Sequence, residues 1–467
     1  MLILLVIASI ILLGIYARLV IISWFSNWED DVVAFREHVL NSHPKFNDPQ
    51  VMYLPHNIEI GTVFRGKIDD LLIRIPYMSD LEIKKELQRS LVHFNDNHSS
   101  FGWYAWRGNL FRTGIRKKPF TRGFMEDMFI EQYPLSFSWF TDGFYLYKAH
   151  EDFSYALNHR LIAVNGFPID EVFEKYTSFI SVENIYGARA AFRHYINRPG
   201  FLNAFGVTDG VETIYTFLGS MGEPFDIVLR HTYRQSLDFS DFVDIIMPTL
   251  PVVLVDSRAE GELPLFQQNN RSAFWYIFME DLGLFYMRIN AHFVSHDISQ
   301  PYNFDLLFKI FDLIEEYARG IDMIIVDSRN NGGGAYIPEL HLLFESMANT
   351  VNKGQLFYFM NERTSSSALL SAGYMYSLGA VIVGQPSGQN MTFYGFSGNR
   401  RRGTEIILPY SRQVLEVPDT LAKLQDYGLP PTDDLIFRPH VIINYTIGDW
   451  INNRDPYFDF VLDLIGL

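Results

Sequence analysis

Residues 322–334 read DMIIVDSRNNGGG. Met323 to Val326 is an unbroken apolar run ending at Asp327, the pattern of a strand buried on both faces. Three glycines follow at once, so a tight loop leaves the strand's carboxyl end. Working outward, 304–320 (FDLLFKIFDLIEEYARG) has helical spacing and closes at Gly320. Before it, 282–290 (LGLFYMRIN) reads as another strand. Beyond the loop, a helix starts near Ile337, with Pro338 tolerated in its first turn. Then come a strand at 355–361 (QLFYFMN), a turn at 362–367 (ERTSSS), a helix at 367–379 (SALLSAGYMYSLG) and a buried strand at 380–385 (AVIVGQ). Apolar strands alternating with helices give a largely parallel sheet with helices packed on it, an α/β core.

The whole chain has 467 residues, 48% hydrophobic and 20% charged, which suits a packed protein of about three domains and excludes wholesale disorder. Its net charge of -16 lacks the electrostatic footprint of a nucleic-acid binder. The basic cluster Arg400, Arg401 and Arg402 reads as a solvated loop. With no cysteine, disulfides, thiol nucleophiles, iron–sulfur clusters and Cys-based zinc sites are excluded. Leu2 to Phe25 is apolar apart from Arg18. Its 24 residues would span about 36 Å as a helix, enough for the ~30 Å hydrocarbon core, so residues 1–27 read as an uncleaved membrane anchor rather than a signal segment. Residues 28–105 read as helical, with Ser79 or Asp80 as an N-cap; 106–256 as β-rich; 257–272 as a polar linker; and 273–467 as the α/β core.

Two loops in that core follow strand ends, where open α/β sheets place ligands. The amides of the glycine loop are either those of a simple turn or a cradle for an anion or developing oxyanion. Thr364 to Ala368 places serines where a strand turns into a helix: ordinary N-caps, or a nucleophile at the positive end of the helix dipole. A serine nucleophile needs a base, and no lysine occurs between Leu369 and Ala422. Among 13 histidines, His98 in the polar turn HFNDNHSSF is the best local candidate, the alternative being a solvated turn histidine. His292 and His296 have metal-pair spacing but no third ligand nearby and read as loop residues.

With these motifs in view, the sequence resembles the tail-specific, or C-terminal processing, protease family, serine peptidases with a crotonase-like core. IIVDSRNNGGG matches the family's Asp-x-Arg-x-Asn-x-Gly-Gly loop; NERTSSSA resembles its Arg-Thr-x-Ser-Ser-Ala-Glu nucleophile turn; VGQPSG resembles its Gly-Glu-Pro-Thr-Gly strand end. HRLIAVNGFPIDEVF resembles the PDZ-like segment, DNHSSF the Asp-x-His-Thr turn of the Ser–His branch, and WEDDVVAFREHVLNSHPKF the helical N-terminal domain with its His43–Pro44 pair. The resemblance implies a crotonase-like ββα-type catalytic core, a helical N-terminal domain and a small PDZ-like β-rich domain, here preceded by one transmembrane helix.

By the same resemblance Ser366 is the nucleophile and His98 its base. The oxyanion donors are the amides of Gly333 or Gly334 and of Ser367. The third position falls on Gln425, with Asp426 beside it. Two residues depart from the pattern: Leu369 stands where the family has Glu, and Gln425 replaces the orienting Glu. A Gln can hold an imidazole but cannot stabilise imidazolium by charge. The implied function is a membrane-anchored serine endopeptidase acting through an acyl-enzyme on a polypeptide substrate. It would need no metal or organic cofactor, bind no nucleic acid and keep its catalytic part on the extracytoplasmic side. The alternative is a catalytically degenerate member that binds peptides or hydrophobic ligands. Four Asn-x-Ser/Thr sequons occur, one at Asn97; a glycan there would block His98, so they read as chance matches.

Overall fold

The computed structural model describes residues 27–102, 124–230, 235–236, 253–270, 272–292, 304–397 and 404–466. The apolar run Leu2–Phe25, the three arginines and His296 lie outside these residues. Among the described residues no helix is long and apolar enough to cross a membrane. The chain divides into two compact units, and the division is discontinuous in sequence.

The first unit holds the N-terminal helices, residues Thr177–Ser181 and the segment Tyr394–Leu421. Helix Trp28–Ser42 starts at Asn27, which forms a reciprocal capping box with Asp30. Helix Asp80–Leu91 does the same through Ser79 and Glu82. The late segment joins these helices through polar contacts that no local pattern announces. The buried Asp31 carboxylate accepts the amides of Tyr410 (2.7 Å) and Ser411 (2.8 Å). Trp28 meets Tyr410 edge-on at 5.4 Å, and strand Ser100–Phe101 pairs antiparallel with Val414–Glu416.

The second unit carries two sheets. The β-rich region forms an antiparallel sheet whose main path runs Val255–Asp256, Gly143–Ala149, Arg160–Val164, Glu212–Leu218, Pro224–Arg230. The other sheet has six strands: Phe274–Met279, Leu284–Ile289, Met323–Asp327, Leu356–Met360, Val381–Gly384 and Val441–Ile442. The first pair is antiparallel and every later pair parallel. Strand alternation then sorts the side chains onto two faces. Phe285, Met287, Ile324, Val326, Tyr358 and Ile382 join one core cluster with helices Phe304–Tyr317, Pro338–Thr350 and Ser367–Ser377. Tyr286, Ile325, Phe357, Phe359 and Val383 face the other way, onto Tyr457 and Val461 of helix Pro456–Leu464. Both faces are covered, as a run of purely apolar strands requires. Leu369, which stands where the family has Glu, is fully buried in the first of these clusters.

Candidate active site

The glycine loop hangs from a buried ionic anchor. Asp327 ends its strand with no exposed surface. Its carboxylate takes Arg288 Nη1 (2.8 Å), the Tyr286 hydroxyl (2.8 Å) and the Arg329 guanidinium. Burial alone would raise its pKa, but the charges of Arg329 and Arg288 outweigh that and hold it below the usual carboxylate range. Arg329 also binds Asp455 with two nitrogens, at 2.7 and 2.8 Å, and stacks on Phe266 (4.1 Å) and Tyr457 (4.3 Å). Two carboxylates and two guanidiniums thus balance, the condition under which a buried ion cluster is tolerated. Asp327 and Arg329 face inward here, and what they fix is the path of the loop.

From that anchor the glycine loop and the serine turn are zipped together. Thr364 Oγ1 donates to Ser328 O (3.0 Å), Ser365 N to Asn331 O (3.1 Å), Ser365 Oγ to Gly332 O (3.2 Å) and Ser367 Oγ to Gly334 O (2.8 Å). Asn330 and Asn361 exchange amide bonds at 2.8 and 3.0 Å. Thr364, Ser365 and Ser367 therefore all spend their hydroxyls on the opposite loop. Ser366 does not: its Oγ has no hydrogen-bond partner among the described residues, and the residue is only half-buried. Its backbone sits at φ 53°, ψ -128°, a conformation that costs a non-glycine residue on the order of 1–3 kcal/mol. Such a strained strand-to-helix turn is how a nucleophile elbow exposes its hydroxyl. Gln389 Oε1 accepts the Ser366 amide, and Gln389 Nε2 in turn donates to Glu183 (2.9 Å).

Of the amides expected at an oxyanion hole, Gly333 N donates to Asn331 Oδ1 at 2.9 Å. Those of Gly334 and Ser367 have no acceptor among the described residues. Gly333 itself permits the close approach. It has φ +89°, and a Cβ there would lie 2.6 Å from Ser366 Cβ. Gln425 and Asp426 are in a short 3-10 turn, Leu424–Tyr427, whose Leu424 and Tyr427 press on Gly373 of the serine helix. Gln425 Oε1 accepts the Thr392 hydroxyl at 3.3 Å, and Asp426 is exposed.

His98 belongs to the first unit, in a turn organised by Asp96. That carboxylate is fully buried and accepts His98 N (2.8 Å), Ser99 N (3.0 Å), Ser99 Oγ (2.5 Å) and His43 Nε2 (3.3 Å). His43 Nδ1 accepts the Lys45 amide (3.1 Å), so the neutral ring carries its proton on Nε2 and donates it to Asp96. Burial works to raise the Asp96 pKa, but the hydrogen bonds from His43 and Ser99 help pull it well below the ordinary value. The nearer Asp96 oxygen is 3.9 Å from His98 Nδ1. Asp96 and Gln389 were not singled out from the sequence, and His43 and Asn331 stood only inside quoted motifs, with no role attached. The Asp-x-His spacing was the one local sign of the first.

No family model matches the sequence, and no curated protein matches it. Solved structures do. Mature CPAF complexed with lactacystin aligns with a TM-score of 0.55 over 94% of this chain and 97% of that chain, at 11% identity. A serine-to-alanine mutant of CPAF aligns with a TM-score of 0.56 over 94% and 96%, also at 11% identity. The chain has the fold of CPAF over nearly its whole length. At this identity what is shared is the fold.

Proposed function

We propose that the chain is a serine endopeptidase of the tail-specific type. Ser366 attacks the peptide carbonyl, His98 takes the hydroxyl proton and returns it to the leaving amine, and the amides of Gly334 and Ser367 hold the tetrahedral oxyanion. The observation that carries this reading is the contrast within the serine turn. Its neighbours' hydroxyls are spent on glycine-loop carbonyls, whereas Ser366 alone combines an uncommitted hydroxyl with a strained backbone. Gly333 keeps a different task, bonding Asn331 and letting the loops touch.

Gln425 occupies the third position by resemblance and orients the ring as a neutral group. The negative charge near His98 then comes from Asp96, 3.9 Å from Nδ1. A polypeptide is the substrate, captured as an added strand by the PDZ-like sheet. The Leu2–Phe25 run anchors the enzyme in a membrane with its catalytic part outside the cytoplasm. Membrane-pellet fractionation with and without residues 1–27 tests the anchor, and protease protection of intact cells tests the side. The competing reading, a worn binding module, draws on the neutral Gln425 and on Leu369. An active-site-directed fluorophosphonate separates the two: it labels Ser366, and not the Ser366→Ala variant, only if the centre is assembled. Absence of label in the wild-type protein would favour the binding module.

A further inference from the structure

His292 was expected as a loop residue. It is buried, 1% exposed, and lies against the glycine loop as an isolated bridge to Gly334. Its amide donates to Gly333 O (3.1 Å) and its carbonyl accepts Ala335 N (2.8 Å). The ring reaches two further groups. Nδ1 meets Asn331 Nδ2 at 3.1 Å, and Nε2 meets Ser371 Oγ at 2.9 Å, one turn into the serine helix.

The hydrogen-bond logic has one solution. Asn331 Oδ1 accepts Gly333 N and its Nδ2 donates to Ile289 O (3.0 Å), so the amide cannot flip without setting donor against donor and acceptor against acceptor. Asn331 therefore donates to His292 Nδ1, which must be an unprotonated acceptor. The ring's single proton sits on Nε2 and goes to Ser371. A ring whose proton is turned toward Ser371 is not a base for that serine. What it does is tie the glycine loop to the helix that starts at Ser367.

We propose that neutral His292 is the positioning residue of the oxyanion loop: through Asn331 it commits the Gly333 amide and so leaves that of Gly334 to the substrate. This rests on the oxyanion assignment above and adds to it a residue from well upstream of the glycine loop.

Two substitutions divide the ring's two bonds. In His292→Asn the side-chain oxygen stands where Nδ1 was and can still accept from Asn331, while the Ser371 bond is lost. In His292→Gln the side-chain nitrogen still reaches Ser371, while the Asn331 bond is lost. Each loses one hydrogen bond, so their melting temperatures should be close. If the role runs through Asn331, H292Q lowers kcat by about 10², the range for losing an oxyanion donor, at little-changed KM, and H292N loses less than about tenfold. Combining H292Q with Asn331→Ala should then cost no more than Asn331→Ala alone. Equal losses in H292N and H292Q, or additive losses in the double variant, would overturn the proposal.

A second readout does not need turnover. Amide hydrogen exchange over residues 328–337 should quicken in H292Q and stay near wild type in H292N. Equal exchange in the two also overturns it. If the wild-type protein takes no fluorophosphonate, the peptidase reading has failed while the exchange experiment still decides whether His292 holds the loop.

Discussion

Replacing Gly333 by alanine inserts one methyl group at the most crowded point between the two loops. The new Cβ would lie 2.6 Å from Ser366 Cβ, 2.7 Å from Ser365 O and 2.9 Å from Ser367 N, whereas ordinary contact begins at 3.4 Å. The loops must therefore separate by roughly 0.8 Å at the closest atom, and none of the three atoms is a flexible side-chain end. The residue also sits at φ +89°, which costs an alanine on the order of 1–2 kcal/mol more than a glycine. A shift of about 1 Å in a reacting group can cost about 10² in rate, so kcat and the rate of fluorophosphonate labelling should both fall by roughly that factor. Stability should fall by only a few kcal/mol, visible as a drop of several degrees in melting temperature of a still-folded protein. Gly332→Ala is the control next door: the atom nearest its added Cβ is Ser365 Oγ at 4.0 Å, so it should lose far less. Equal labelling rates for G333A and wild type would refute the reasoning, because the two loops would then not need their close approach.

Ser366→Ala should abolish hydrolysis and labelling, while Ser365→Ala and Ser367→Ala, each losing one bond to the glycine loop, should keep a measurable rate; a dead Ser365→Ala with an active Ser366→Ala would move the nucleophile by one. Gln425→Glu should raise turnover by restoring charge at the third position, and Asp426→Asn should matter little; a large loss on Asp426→Asn would transfer the orienting role to Asp426. Asp96→Asn should lower kcat more than KM and weaken folding, since it removes an acceptor shared by His43, His98 and Ser99; an unchanged kcat would remove Asp96 from the site. Finally, burial pushes the His292 pKa down to about 4 from 6.5. Its neutral form is favoured by folding, so its contribution is complete above about pH 6.5 and is lost as the pH falls through 4, on the order of 2 kcal/mol being gone by pH 5. Denaturant titrations of wild type and H292N at pH 7 and 5 check this: the acid loss should be smaller in the variant.

The core sheet was legible because its signal is local. Met323–Val326, Leu356–Met360 and Val381–Val383 are apolar without alternation, and that pattern has one economical outcome, a strand covered on both faces. The glycine loop and the serine turn were legible for the same reason, each being punctuation at a strand end. What stayed hidden depends on partners far along the chain. Asp327 and Arg329 read as part of a motif, and only Asp455, 126 residues beyond Arg329, reveals them as a buried anchor. His292 looked like a loop residue because nothing within ten residues names Asn331 or Ser371 as its neighbours. Tyr394–Leu421 was taken with the core by sequence order, whereas Asp31 and Trp28 hold its backbone and Tyr410 in the N-terminal unit.

The ion cluster beneath the glycine loop also sets a schedule. During synthesis Arg288 leaves the ribosome first and Asp327 and Arg329 follow, one carboxylate against two cations, while Asp455 comes only after more than a hundred further residues. Until it arrives the anchor carries surplus positive charge, which favours hydration over burial. The loop above it therefore has no settled platform, and a chain still being made holds its serine turn without the frame that would arm it.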